Sequence, residues 1–116
     1  MFQDDFETNK GWTAGSGWAR GTPTGGGGEH GSPDPSSAYS GTNVFGYNLS
    51  GDYTNSLTVR YLTSPAINCS GLTNVHIDFQ RWLGVEQPAY DQATVAVSLN
   101  GTVWTTVWTN PTTIED

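Results

Sequence analysis

The stretch DQATVAVSLNGTVWTTVWT, residues 91–109, decides the fold class. Successive side chains of a β-strand point to opposite faces, and the larger apolar residues of Asp91–Leu99 fall on one parity, with Ala96 on the other. This alternation predicts a strand with Ala93, Val95, Val97 and Leu99 facing inward. Asn100-Gly101 predicts a two-residue type I′ turn, because both residues tolerate positive φ angles. Thr102–Thr109 is then the returning strand of a hairpin.

The same alternation extends upstream of this hairpin. In Thr73–Leu83, one predicted face carries Val75, Ile77, Phe79 and Leu83, and the other carries His76, Asp78, Gln80 and Trp82. Shorter strand signals occur at Phe2–Glu7, Gly11–Arg20, Asn43–Leu49 and Leu57–Ile67. No segment repeats apolar residues at helical spacing. About seven short strands without helices predict an all-β fold, an antiparallel two-sheet sandwich.

Composition restricts the partners and the location. The chain has 116 residues, the size of one domain, and 11 carboxylates against four Lys and Arg give a net charge of −7. This acidic balance argues against nucleic acid and anionic membranes as partners. No apolar run approaches the roughly 20 residues of a membrane span, so membrane insertion is not expected. Low charge with abundant Gly, Ser and Thr is typical of secreted β-rich domains, which predicts an extracellular or cell-surface location.

A long loop is predicted over residues 21–42. Four consecutive glycines lie at its centre and three prolines surround them, so regular structure is disfavoured. Loops of this length inside a domain are often functional or held by an ion.

Two groups of acidic residues are candidate metal ligands. Asp5 and Glu7 lie two apart on a predicted strand, so their carboxylates project from one face, and the long loop adds Glu29 and Asp34. Calcium takes six to eight oxygen ligands, and backbone carbonyls of the loop can complete such a set. The alternative is that these are solvated carboxylates at a sheet edge, which discourage aggregation.

Aromatic and acidic residues near the hairpin are candidate ligand contacts. Trp104 and Trp108 are four apart on a predicted strand, about 13 Å from each other on one face, a spacing that suits an extended sugar chain. The alternative, favoured because large rings are buried on average, is that they fill the core. Glu86 and Asp91 flank a short loop and serve either a ligand, a cation or the loop itself. The candidate set for a glycan or protein ligand is Trp82, Glu86, Tyr90, Asp91, Trp104 and Trp108.

Catalytic motifs are missing from the sequence. The histidines, His30 and His76, are too few for a zinc site, and the glycine run lacks the Lys and Ser/Thr of a P-loop. There is no GxSxG elbow. We therefore expect a protein that is not an enzyme.

Four segments together resemble a known family. They are DFE at 5–7, LTSPAI at 62–67 followed by SG at 70–71, the run from Trp82 through Glu86 to Tyr90-Asp91, and VAVSLNG at 95–101 ending in Trp104-Thr105. In this order they are similar to MAM-like, concanavalin-like jelly-roll modules, such as those attached to immune-inhibitor-A-type secreted metallopeptidases and other bacterial surface proteins. The resemblance runs from Phe2 to about Trp108.

The resemblance implies a jelly roll with an accessory, non-catalytic role, and it supports a structural cation between the first strand and a loop acid. Such modules continue with further strands, so residues 1–116 are expected to form a single domain that is incomplete at its carboxyl end, or that another chain completes by strand pairing. Three functions follow as hypotheses: an adhesion, assembly or substrate-targeting module, a calcium-braced carbohydrate-binding module, and a fibre subunit joined by strand complementation.

Overall fold

Short antiparallel strand pairs carry the fold. The computed structural model describes residues 1–29 and 31–116. The strands are β1 Thr13–Ala14, β2 Trp18–Gly21, β3 Val44–Tyr47, β4 Leu62–Thr63, β5 Gly84–Val85, β6 Thr94–Val97, β7 Thr105–Thr109 and β8 Ile114–Glu115. No helix occurs in either described range, so the all-β prediction is confirmed. It follows that no helix there could cross a membrane.

The strands form four two-stranded antiparallel sheets, β1–β4, β2–β3, β5–β8 and β6–β7. The chain divides into two compact units, Met1–Arg81 and Trp82–Asp116. The first unit contains the β1–β4 and β2–β3 pairs, and the second contains the β5–β8 and β6–β7 pairs.

An aromatic cluster forms the interior of the first unit. Phe6 meets Trp12 and Phe45 edge-on, with ring centroids 5.6 and 5.3 Å apart. Trp12 and Phe45 lie 5.8 Å apart. Across the β2–β3 pair Trp18 stands opposite Tyr47, and their rings make a further edge contact at 5.9 Å. These edge-to-face contacts add to the area that the half-buried rings remove from water.

The second unit has a small interior. Val85 is the buried hydrophobic side chain of its core, at 8% exposed, and Asn110 is the most deeply buried polar residue, at 1%. Val85 stands opposite Ile114 in the β5–β8 pair. Leu83 extends that pair, because its amide donates to the Asp116 carboxylate at 2.9 Å and its carbonyl accepts from the Asp116 amide at 3.1 Å.

The long loop has no strand or helix in residues 22–29 or 31–43. Its two arms are joined by backbone hydrogen bonds, from the Gly25 amide to the Pro35 carbonyl at 3.1 Å and from the Asp34 amide to the Gly26 carbonyl at 2.9 Å.

The predicted strand at Phe2–Glu7 is wrong. The Asp4 carboxylate accepts from the Phe6 amide at 2.9 Å, and the Asp5 carboxylate accepts from the Glu7 amide at 3.1 Å. Phe6 has a φ of 61°. Aspartate side chains that bond backbone amides two residues ahead compete with strand pairing, so the chain turns here. Asp5 and Glu7 therefore do not project from one face of a strand.

The predicted strand at Thr73–Leu83 is also wrong, because residues 73–82 belong to no strand pair of the described ranges, and Leu83 alone bonds to Asp116. Its expected inward residues are exposed, Val75 at 56%, Ile77 at 63% and Phe79 at 60%. The predicted strand at Leu57–Ile67 shortens to Leu62–Thr63 for the same reason, since only those residues face β1.

The hairpin of residues 91–109 is confirmed as the β6–β7 pair, but its predicted turn is wrong. Val97 and Thr105 form the last pair, so the connection is longer than two residues. The Ser98 hydroxyl accepts from the Asn100 and Gly101 amides, and the Asn100 side-chain oxygen accepts from the Thr102 and Val103 amides. In a two-residue turn these amides would bond across the strand pair, whereas here side-chain oxygens of the connection accept from them. Leu99, expected inward, is fully exposed in this connection.

A register shift separates the two tryptophans of the hairpin. Val95 pairs with Trp108 and Ala96 with Thr106, so Val107 is an extra residue on β7. Such a bulge reverses the alternation on one side of it. Trp108 therefore shares the face of Val95, whereas Trp104 falls on the other face, and the predicted common face of the two rings is wrong.

Candidate functional site

The carboxamide of Asn110 organises the second unit. The side-chain oxygen accepts from the backbone amide of Ala93 at 3.0 Å. The backbone amide of Asn110 donates to the Ala93 carbonyl at 3.0 Å. Its Nδ2 donates to the carbonyls of Glu86, Asp91 and Thr112 at 2.9, 3.2 and 3.3 Å. A single buried side chain thus joins the loop before β6, the start of β6 and the segment after β7. We call this group of hydrogen bonds the Asn110 knot.

The loop that the Asn110 knot holds is the 86–91 loop. The Gln87 carbonyl accepts from the Tyr90 amide at 2.9 Å and from the Asp91 amide at 3.1 Å, which closes the turn. Since Glu86 and Asp91 are both bound to Asn110 through their carbonyls, the two ends of the loop are fixed to the same side chain. Tyr90 is presented to solvent from this turn, at 71% exposed.

The sequence-predicted ligand residues all lie in the second unit. Trp82 and Trp104 are about half exposed, at 53% and 50%, and Trp108 is half-buried. The Glu86 side chain is exposed and Asp91 is half-buried. The structure therefore leaves three aromatic rings, Trp82, Tyr90 and Trp104, available to a ligand, and it withdraws part of Trp108.

The Glu7 carboxylate is bound to the end of the long loop. One oxygen accepts from the Thr42 and Asn43 amides, both at 2.7 Å, and the other accepts from the Asn43 side chain at 3.3 Å. Arg20 donates to the Phe6 and Glu7 carbonyls at 2.9 and 3.3 Å. Glu7 therefore closes the base of the loop by hydrogen bonds to the chain itself.

Asp4, which the sequence analysis did not select, is the better enclosed N-terminal acid. Its side chain is 3% exposed and lies 3.7 Å from the Lys10 ammonium. It also accepts from the indole of Trp12 at 2.8 Å. A carboxylate held by an indole, an amide and an ammonium is typical of a structural role, because its lone pairs are used by protein donors.

Asp34 lies near Asp52, another acid that the sequence analysis did not select. The Asp52 carboxylate accepts from the Gly28 and Glu29 amides at 3.1 and 3.2 Å. These two hydrogen bonds hold the centre of the long loop against Asp52. Burial, and after it the neighbouring Asp52 charge, raises the pKa of Asp34 above its ordinary value. Glu29 contributes its backbone amide here, and its side chain is exposed.

The four predicted metal ligands are thus used differently. Asp5 caps a turn, Glu7 binds residues 42 and 43, and Asp34 and Glu29 stand at the Asp52 end of the loop. Across residues 1–29 and 31–116, no three His, Cys, Asp or Glu residues are grouped as a metal ion would require. His30 lies outside the described residues. Calcium at this loop stays a prediction.

The residues that sequence reasoning missed had weak signals. Asn110 precedes Pro111, and an Asn-Pro step marks a turn, but nothing in the sequence says that its carboxamide is buried. Asp52 stands in a polar turn and becomes informative only through the glycine amides that it accepts.

No protein-family model matches the chain, and neither curated proteins nor solved structures give a match.

We expect Asn110→Ala to lower the free energy of unfolding of the second unit by about 3 kcal/mol, because it leaves the Ala93 amide and three carbonyls without their buried partner. Urea unfolding followed by tryptophan fluorescence measures the loss. The matched control is Asn100→Ala, which removes hydrogen bonds from an exposed connection. A loss for Asn110→Ala no greater than for this control would contradict the role of the knot.

We expect Asp34→Asn to stabilise the protein at neutral pH by about 0.5 kcal/mol or less, because the side chain is only partly buried. Because the pKa of Asp34 is raised in the folded state, the neutral Asp34 side chain stabilises the fold. This stabilisation is fully present below pH 3.8 and is lost as the pH rises through the raised pKa, where the side chain becomes charged. The gain should therefore vanish near about pH 3, where Asp34 is neutral in both states. Urea unfolding at the two pH values measures it, with Glu29→Gln as the control. An equal gain at both pH values would show that charge is not the cause.

Proposed function

We propose that this chain is a non-catalytic, extracellular assembly module of MAM-like jelly-roll type, which joins a protein partner through strands that its own fold leaves unpaired. The observation that carries the proposal is the exposure of Val75, Ile77 and Phe79 on one parity of an unpaired segment. A soluble monomer rarely leaves a row of large apolar side chains in water.

A strand without neighbours presents free amides and carbonyls along both edges. Proteins use such edges to bind partners, because main-chain hydrogen bonds supply affinity and alternate side chains supply specificity. Leu57, Val59 and Tyr61, upstream of β4, are exposed in the same alternating way. Alternating rows of exposed apolar side chains therefore occur at both segments of the first unit.

The support for a non-catalytic role is the use of the acids. Asp4, Glu7 and Asp52 each accept hydrogen bonds from backbone amides, and these bonds hold turns and loops. A catalytic carboxylate needs lone pairs available to a substrate.

We expect the protein to associate as its concentration rises, and Ile77→Lys to weaken this association by at least about tenfold, since the lysine charge would have to be buried in the contact. Sedimentation velocity from low micromolar to millimolar concentration measures the mass. The control is Val103→Lys, which replaces an equally exposed apolar residue of the β6–β7 connection. A monomer at every concentration would contradict the proposal, and so would equal effects of the two variants.

Carbohydrate binding is the second candidate function, and the exposure of Trp82, Tyr90 and Trp104 in one unit favours it. Exposed rings bind sugars by stacking, and a loop fixed at both ends presents its ring with little loss of entropy on binding. On this hypothesis the 86–91 loop is the centre of the site, and calcium would brace the long loop.

If the second candidate is correct, we expect electrophoresis through gels that contain soluble β-glucan or xylan to retard the protein. Trp104→Ala should abolish the retardation, because the half-exposed ring supplies stacking area. Tyr39→Ala is the control, since Tyr39 is an exposed ring of the other unit. Mobility that no polysaccharide changes, or that both variants change alike, counts against carbohydrate binding.

A further inference from the structure

The segment Val75-His76-Ile77-Asp78-Phe79, which we call the 75–79 segment, belongs to no strand pair of residues 1–29 and 31–116. Neither a turn nor a bend interrupts it, and none of its residues has a positive φ. It begins directly after Asn74, whose φ of 55° sets the chain on a new course. All five of its side chains are exposed. Five residues are an ordinary strand length.

The 75–79 segment is complementary to itself when it is paired antiparallel about its middle residue. Ile77 then stands opposite Ile77 of a second copy, and Val75 stands opposite Phe79. On the other face His76 stands opposite Asp78, twice, once on each side of the centre. A β-branched residue opposite an aromatic one is a favourable cross-strand pair, and an imidazole N–H of His76 can donate to the Asp78 carboxylate opposite it.

Neighbouring registers are unfavourable. A pairing centred on His76 sets the two His76 rings against each other, and a pairing centred on Asp78 sets two carboxylates against each other. Two carboxylates directly opposite each other are destabilising, and two facing His76 rings leave no His76–Asp78 pair. A pairing centred between Ile77 and Asp78 sets each apolar residue against a polar one and mixes the two faces. Of these registers, only the one centred on Ile77 pairs all three apolar residues of each copy with apolar residues.

We infer that two copies of this chain join by antiparallel pairing of their 75–79 segments, with a two-fold axis through the Ile77 pair. The inference rests on the assembly function proposed above and names its partner. A contact about a two-fold axis uses the same patch on both copies, so the patch must be self-complementary. The segment meets that requirement, because its apolar residues and the complementary His76 and Asp78 are placed symmetrically about Ile77.

Disulfide trapping tests this register. In a Cys69→Ser background, which removes the lone native cysteine, Ile77→Cys places two thiols opposite each other, with Cα atoms about 4.5–5.5 Å apart. This separation lies within the range that a disulfide spans. Val75→Cys is the matched control, because the two Val75 positions lie about 13 Å apart in the same pairing. All three positions, 75, 77 and 79, are exposed, so the substitutions leave the fold intact.

After mild oxidation we expect Ile77→Cys to give about tenfold more covalent dimer than Val75→Cys on a non-reducing gel. An equimolar mixture of Val75→Cys and Phe79→Cys should give the mixed dimer, identified by its mass, in preference to either homodimer. Equal yields from Ile77→Cys and Val75→Cys would overturn the register. If the unmodified protein still associates in sedimentation, that result leaves the assembly function standing, whereas a strictly monomeric protein removes both.

Discussion

The second unit depends on one buried carboxamide. Asn110 follows β7 and reaches the start of β6, both ends of the 86–91 loop and the segment that leads to β8. With Val85 as the buried hydrophobic residue of this unit, apolar burial alone gives it little cohesion, so satisfied polar contacts have to fix its geometry. Buried polar groups specify one arrangement strongly when every member has a partner, because any other arrangement strands a donor or an acceptor. The 86–91 loop, which presents Tyr90, is held in one conformation because both of its ends bond to Asn110.

In the first unit, carboxylates rather than a carboxamide hold the turns and loops in place. Asp4, Glu7 and Asp52 each accept two or more hydrogen bonds, and each ties a turn or a loop that has no sheet to pair with. Hydrogen bonds to charged acceptors are worth more than neutral ones, so a few acids can order a Gly-rich chain. The aromatic cluster around Phe45 then supplies the apolar burial. Asp4, Glu7 and Asp52, three of the 11 acidic residues, therefore have a structural role that does not require a metal ion.

The sequence predicted the fold class and the main hairpin but not the partners of each strand. Alternation in residues 94–97 and the absence of helical spacing were sufficient for those predictions, because they depend only on local periodicity. The alternation of residues 75–79 is as clear, yet no strand within residues 1–29 and 31–116 pairs with it, because pairing depends on distant residues. Short-range hydrogen bonds from side chains to backbone amides turn the chain at four positions, and alternation does not predict them. These positions are Asp4, Asp5, Ser98 and Asn100. One extra residue, Val107, was enough to separate the faces of Trp104 and Trp108. For the site, the rings at 82, 90 and 104 were candidate ligand contacts, but burial of Trp104 in the core was the favoured interpretation, and its half-exposed ring departs from it. Asn110 was not a candidate, because burial of a polar side chain leaves no pattern in sequence.

The unpaired 75–79 segment connects these observations. Its alternation is what a half-buried strand requires, while its side chains are exposed within the described chain. The sequence pattern predicts that one face of the segment is buried, yet that face is exposed in the described chain. Both observations are explained when another molecule covers the face. Since His76 and Asp78 lie symmetrically about Ile77 and can pair with each other across a two-fold axis, the simplest such molecule is a second copy. On this proposal, the residues that misled the intrachain prediction are the ones that specify the contact.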